Sequence, residues 1–407
     1  MNRFERHPVI TLGAVVLALL LGVLLLTEAL LSPEVGEEAV VGGDAVPSPQ
    51  RFLQLREWQP LTRFSFGPTE MRIANDMGDL LQVYPLDTDQ YGFIEPSVVH
   101  EKADVDIVFV GGSTTETMYV KPENRFPHAV GRLLEQRTGL KVNGINAGKS
   151  GNNAMHSLVA IIGKVLPKKP DYVVLMQNAN DLRMLTYRGT YWNDDPEYAL
   201  VRTRDRSLGA LARDIRDLTF PYTYRRLRRA MQHIAGADLH TGSGTAMAAE
   251  PSASTLRDAS ILPTTKDNRV ARAAADFENA LRSVVAVLRA WHVEPVLMTQ
   301  VSLTGLETQR KEGLQGAYLA ENQLARGDFS PERYAAAHAH FNAIIRHVAQ
   351  SEGATLIDLA TAQEWTDAEL YDGLHFLDAG SRKAAEIIAT QLEPLLRKRF
   401  QRAARTD

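Results

Sequence analysis

The stretch Asp106-Ile-Val-Phe-Val-Gly-Gly-Ser-Thr-Thr-Glu116 governs how the rest of the chain is read. After Asp106 its next four residues are apolar and rich in β-branched side chains, with no alternation. That is the pattern of a strand covered on both faces in a parallel sheet. Gly111 and Gly112 end the run, and a glycine pair lets the backbone turn sharply and leaves room for close approach. Ser113 stands at the turn, with Thr114, Thr115 and Glu116 as a first helical turn. A serine at the carboxyl end of a buried strand, beside a helix N-terminus, lies where open α/β sheets take their ligands. Backbone N–H groups there can stabilise an oxyanion. By itself the segment also fits an N-cap serine in an ordinary βα turn. The other strand ends decide between the two.

Downstream the rhythm repeats. Apolar spacing at Phe126, Val130, Leu133 and Leu134 predicts a helix over 126–138, ending near Gly139. Strands are expected over 141–146, 171–176, 294–300 and 355–358. Helices are expected over 154–165, 270–291, 330–351 and 382–400, with Ser330-Pro331 supplying an N-cap and a first helical proline. Strands alternating with helices imply an α/β fold with a central five-stranded parallel sheet. Residues 52–100 read as irregular and short-strand structure leading into it.

The rhythm breaks at about 183–269, which reads as an insertion. Its first part is rich in arginine, from Arg202 to Arg229, interleaved with Asp205, Asp214 and Asp217. A solvated helical face is the simplest account, with docking on an anionic surface as the alternative. Residues 236–254 are small and polar, a composition that favours disorder.

At the amino end, residues 8–27 carry no charge and are dense in Leu, Val and Ala. About 20 such residues at roughly 1.5 Å each span a roughly 30 Å hydrocarbon core. No polar face interrupts the run and no small-x-small cleavage site follows it, so an uncleaved anchor is expected. Arg3 and Arg6 precede the run, while Glu28, Glu34, Glu37, Glu38 and Asp44 follow. That asymmetry places the amino terminus in the cytoplasm and the remainder in the periplasm or cell exterior. The expected organisation is a tip and anchor over 1–31, a linker over 32–56 and the α/β domain over 57–407. The chain has 407 residues, a net charge of −4 and no cysteine. The charge gives no reason to expect nucleic acid, and the missing cysteine excludes disulfides, thiol catalysis and thiolate metal sites. His338 and His340, two apart on one helix, point away from each other and do not form a metal pair. No phosphate-binding glycine loop is present, so no cofactor and no metal are expected.

The predicted carboxyl ends of the strands carry Ser113, Gly151 and Asn180, and Asp372 and His375 precede the last helix. A serine hydroxyl is barely ionised at neutral pH and needs a base. His375 can take the Ser113 proton, and Asp372, three residues earlier, can hold the other imidazole nitrogen. The N–H groups of Ser113 and Gly151 and the Asn180 side-chain amide can serve as oxyanion donors.

These residues resemble the SGNH, or GDSL-type, hydrolase family. Val110-Gly-Gly-Ser-Thr-Thr resembles its first block, Asn146 to Gly151 its second, Asn178-Ala-Asn-Asp181 its third and Asp372-Gly-Leu-His375 its last. The resemblance spans about residues 90–395, apart from the insertion. Gly112 stands where the family often has Asp, and Asn178 where it usually has Gly. The resemblance implies a flavodoxin-like three-layer sandwich and a Ser113–His375–Asp372 triad, with Ser113, Gly151 and Asn180 in the oxyanion hole. Asp181 is assigned a structural role. With the anchor, the expected protein is a membrane-attached serine esterase or O-acyltransferase. Its substrate is expected to be an acyl ester, such as an acetyl ester of an envelope or exported polysaccharide. The alternatives are a lipase or lysophospholipase and a non-catalytic, membrane-tethered glycan-binding or assembly protein.

Overall fold

The structure is a computed structural model that describes residues 13, 15–17, 19–23, 51–67, 83–195, 198–203, 266–303, 331–366 and 368–403. The chain divides into two units, Met1–Pro49 and Gln50–Asp407. In the first, the described residues are helical with exposed side chains. Among the described residues no helix is long and apolar enough to cross a membrane, and most of the expected span at 8–27 lies outside them. Residues 32–49, the arginines from 204 to 229 and the stretch 236–254 also lie outside the described residues.

The second unit is built on five strands: β4 (Val105–Gly111), β5 (Val142–Gly148), β6 (Tyr172–Met176), β8 (Glu294–Met298) and β9 (Thr355–Ile357). They form one parallel sheet in the order β5-β4-β6-β8-β9. Counted among themselves the strands run 2-1-3-4-5, so the chain reverses direction across the sheet between β4 and β6. Such a switch point opens a crevice at the strand carboxyl ends. The helices are α1 (Ser113–Glu116), α2 (Phe126–Thr138), α3 (Ala154–Ala160), α4 (Ala179–Arg188), α5 (Lys266–Ala290), α6 (Pro331–Glu352) and α7 (Asp378–Ala403).

The apolar runs conceal a period of two. Val108, Val110, Val173, Leu175 and Leu297 join a core with α3, α4, α5 and α6, where Phe277 and Phe341 stack at 4.7 Å. Ile107, Phe109, Val174, Met176, Val296 and Ile357 join the core under α2 and α7. Successive strand side chains point to opposite faces, so a strand between two helical layers must be apolar throughout. That produces the three-layer sandwich. Glycines settle the local fit. Gly131 and Gly144 face each other where α2 crosses β5, and a Cβ on Gly131 would stand 2.7 Å from the Gly144 nitrogen.

Short strands stand outside this sheet. β1 (Arg51–Leu53) pairs antiparallel with β7 (Val201–Thr203), and β2 (Arg63–Phe66) with β3 (Tyr84–Asp87). Residues 51–56, read from sequence as linker, thus hold a strand and the buried Arg56, which is 8% exposed. Residues 183–188, read as the start of the insertion, complete α4, which Gly189 ends at φ +74. The expected helix over 154–165 is present as continuous helical backbone but changes type along its length. α3 runs to Ala160 and continues directly as a π turn over Ile161–Val165 and a 3-10 turn over Leu166–Lys168. Pro167 lacks the N–H that a continuing helix requires.

Candidate active site

Ser113 follows β4 directly, with Gly112 as the N-cap of α1. The helix is a single turn of four residues, because Thr117 leaves it at φ +52. The expected contribution of a helix macrodipole is therefore small, and what remains is the local N–H group. Among the described residues, neither the Ser113 N–H nor the Gly151 N–H is paired within the protein.

His375 reaches Ser113 across 262 positions of sequence. A tight loop makes this possible. Leu370 bridges Phe376, the Tyr371 N–H donates to the His375 carbonyl at 3.0 Å, and Gly373 takes the turn at φ +79. The Leu303 N–H donates to the Gly373 carbonyl at 2.8 Å and ties the loop to the segment that follows β8. Within the loop, Asp372 Oδ1 accepts the N–H groups of Leu374 (3.1 Å) and His375 (2.9 Å). Its Oδ2 lies 2.7 Å from His375 Nδ1, and His375 Nε2 lies 2.7 Å from Ser113 Oγ. A carboxylate only accepts, so Nδ1 carries the proton and Nε2 is left to receive the Ser113 hydroxyl proton. The Tyr371 ring stacks on the imidazole at 5.5 Å.

Asn180 opens α4 just after β6. Its Nδ2 donates to the Asn152 carbonyl at 2.9 Å, which leaves one amide hydrogen unassigned. Gly112 lies against this amide, and a Cβ there would fall far inside contact distance of Asn180 Nδ2 and 3.2 Å from the Asn152 carbonyl oxygen. Gly112 is thus where all three blocks touch, and this explains why no larger residue fits before Ser113. Gly151 has φ +78, and a Cβ on it would stand 2.6 Å from Tyr198 Cε1.

The supporting residues are mostly ones that sequence reasoning missed. Arg56 Nη1 donates to Asn152 Oδ1 at 3.1 Å, and Asn152 Nδ2 donates to the Arg56 carbonyl at 3.0 Å. Glu116 is fully buried, accepts Trp58 Nε1 at 2.7 Å and accepts the Ser150 hydroxyl. Gln300 donates to Thr114 Oγ1 at 2.8 Å and accepts the Ala179 N–H at 2.9 Å, so it joins the residues flanking Ser113 and Asn180. Asn178, the departure in the third block, faces the core. Its amide donates to the His338 carbonyl and to Asn342 Oδ1. The Gly151-Asn152-Asn153 run at the end of the second block was a faint signal for Asn152. Nothing local marked Arg56 or Tyr198.

Asp181 is fully buried. It accepts the Ala154 N–H at 2.8 Å and the Tyr191 hydroxyl at 2.6 Å, which pins the start of α3. Burial pushes its carboxyl up to about 7 against those two donors. His156 and His338 are pushed down to about 3, chiefly by burial, and for His156 also by the nearby Arg56 charge. Both are neutral structural groups. His338 is buried while His340 is exposed, so the two do point apart.

The sequence model described as "GDSL-like Lipase/Acylhydrolase family" matches residues 109–383. No curated protein matches significantly. Among solved structures, the chain resembles Axe2, an acetylxylan esterase from Geobacillus stearothermophilus, at 16% identity and a TM-score of 0.39, covering 71% of this chain and 94% of that one. A catalytic mutant of Axe2 gives 15% and 0.40 over the same shares. LAE5, an alpha/beta hydrolase enzyme from the metagenome of Lake Arreo, Spain, gives 16% and 0.37, again over 71% and 94%. Likenesses this low carry no weight for substrate. The family match covers more than half of the chain, and the protein therefore belongs to the GDSL-like lipase/acylhydrolase family of ester hydrolases.

Proposed function

We propose that this ester hydrolase works through Ser113 as nucleophile, His375 as general base and acid, and Asp372 as the group that orients the imidazole. The observation that carries the reading is the unbroken chain from Ser113 Oγ through His375 to Asp372, at 2.7 Å for each link. In the first half-reaction Oγ attacks the acyl carbon while Nε2 takes the hydroxyl proton. The alcohol leaves with that proton, and an acyl-Ser113 remains. In the second half, water or a sugar hydroxyl gives its proton to Nε2 and takes the acyl group. The tetrahedral oxyanion of each half is met by the N–H groups of Ser113 and Gly151 and by the Asn180 amide. Each such donor is worth on the order of 3 kcal/mol in the transition state. The acyl group is read as a small one, such as acetyl, on an envelope or exported polysaccharide. The support is the family together with the expected location.

The uncharged run at 8–27 is read as an anchor, with the domain in the periplasm or outside the cell. Its support is the length of the run and the charge asymmetry around it. A reporter active only outside the cytoplasm, fused after Asp407, should work, and activity from a cytoplasm-only reporter would overturn the orientation. For the chemistry, the protein should hydrolyse p-nitrophenyl acetate and take one fluorophosphonate adduct. Ser113→Ala should abolish both. Stoichiometric labelling of Ser113→Ala would move the nucleophile elsewhere. A folded wild type that is unlabelled and inert would favour a binding role.

A further inference from the structure

We infer that Arg56 is a positioning residue for the oxyanion hole, holding the Ser150–Gly151 peptide in a single orientation. This rests on the reading of Gly151 and Asn180 as oxyanion donors. Arg56 lies outside the family-matched residues 109–383, in a segment that sequence reading gave to the linker.

Glycine adopts positive and negative φ with similar ease. A glycine at φ +78 can therefore exchange peptide orientations unless its neighbours are held. The peptide unit is planar and trans, so the Ser150 carbonyl and the Gly151 N–H point in opposite directions. Whatever binds that carbonyl aims that N–H. Arg56 Nη2 donates to the Ser150 carbonyl at 3.4 Å, and Nη1 donates to Asn152 Oδ1 at 3.1 Å. One planar guanidinium thus grips the residues on both sides of Gly151. The return bond from Asn152 Nδ2 to the Arg56 carbonyl, at 3.0 Å, closes the pair into a ring. The guanidinium also lies 4.5 Å over the Tyr198 ring, whose edge packs against Gly151. The Asn152 carbonyl in turn accepts Asn180 Nδ2 at 2.9 Å. Two of the three oxyanion donors are therefore aimed by a loop that Arg56 holds. The Ser150 hydroxyl on Glu116, itself held by Trp58, anchors the same loop from the far side and adds a second tie to the 51–66 segment.

Arg56 touches no reacting atom in this account, so the test must separate aim from stability. The full-length protein is used, with p-nitrophenyl acetate as substrate. Arg56→Ala should lower kcat by about 30- to 100-fold, the cost of misplacing a donor by about 1 Å. KM should move by less than about threefold, since the donors act on the developing oxyanion. Ethylguanidinium should restore a large part of kcat. Arg56→Lys should recover little, because one ammonium cannot span the Ser150 carbonyl and Asn152 Oδ1 together. Asn152→Ala removes only the side chain that Arg56 grips. It should give the same split between kcat and KM, and it carries the test if Arg56→Ala does not fold. Arg56→Ala combined with Asn152→Ala should cost no more than either alone. Unchanged kcat in Arg56→Ala and Asn152→Ala, with wild type active, would refute the inference. So would losses that add and resist ethylguanidinium. An inert, unlabelled wild type would instead refute the catalytic reading on which this one stands.

Discussion

Gly112 offers a sharp perturbation, because its backbone is ordinary and only its surroundings forbid a side chain. Its φ is −87 and its ψ −152, a conformation open to any residue. Gly112→Ala therefore adds no backbone strain, and its whole effect comes from contact. The new Cβ would overlap Asn180 Nδ2 and lie 3.2 Å from the Asn152 carbonyl oxygen. Ordinary contact needs about 3.5 Å or more, so the Asn180 amide has to retreat by roughly 1 Å. An amide displaced that far no longer meets the oxyanion. Loss of one such donor costs about 100- to 1000-fold in kcat, or roughly 3 kcal/mol. Asn180→Ala should cost the same by itself. In that background the methyl of Gly112→Ala enters space the amide has vacated, so the double variant should be no slower than Asn180→Ala alone. The resulting coupling energy is about 3 kcal/mol, near the top of the range for residues in contact. The assay is kcat and KM on p-nitrophenyl acetate for the wild type and three variants, with thermal melts to confirm folding. Additive losses, giving a double variant about 10⁴- to 10⁶-fold slow, would refute the contact mechanism. Full activity in Gly112→Ala would refute the placement of Asn180.

Other outcomes follow from the same geometry. His375→Ala should reduce kcat by at least about 1000-fold, and Asp372→Ala by less, because Asp372 only orients and stabilises the imidazole; equal kcat for wild type and His375→Ala would remove the base. Tyr191→Phe takes the hydroxyl from buried Asp181 and should lower stability by about 1–3 kcal/mol in urea unfolding, with little change in KM. The pH dependence of stability has a definite sign. Between about 3.8 and 6.5, unfolding lets His156 and His338 take up protons that the fold excludes, while Asp181 gives one up. For these groups the net proton uptake makes stability rise with pH in that window; His128, also lowered by burial, adds to it, and Asp276, raised by burial, works against it. Above 6.5 the histidine contribution is complete, and the Asp181 contribution is lost as pH passes about 7. Urea midpoints that fall as pH rises from 4.5 to 6 would contradict this assignment.

The sequence by itself determined the strands, the layers and the identity of the chemical groups. The continuous apolar runs at 107–110 and 172–176 have the length, β-branched content and flanking turn residues of strands covered on both faces, and the helix at Phe126–Thr138 was legible to the residue. Each run needed only local pattern to be read, because burial on two sides demands the same residue types in any such sheet. The four short blocks named Ser113, Gly151, Asn180, Asp372 and His375 because each sits where a strand or loop must turn. Tertiary structure alone decided what holds them in register. Arg56 and Tyr198 lie in stretches that looked like linker and insertion, yet both close on the loop around Gly151. Gln300 and Asn342 gave no sequence signal, yet they join the turns that carry Ser113 and Asn180. The single turn at Ser113–Glu116 was also settled only by the fold, since Thr117 turns left-handed. Buried polar partners have no period and no preferred spacing along a chain. They are selected pairwise, by which donors and acceptors a folded core brings together without water.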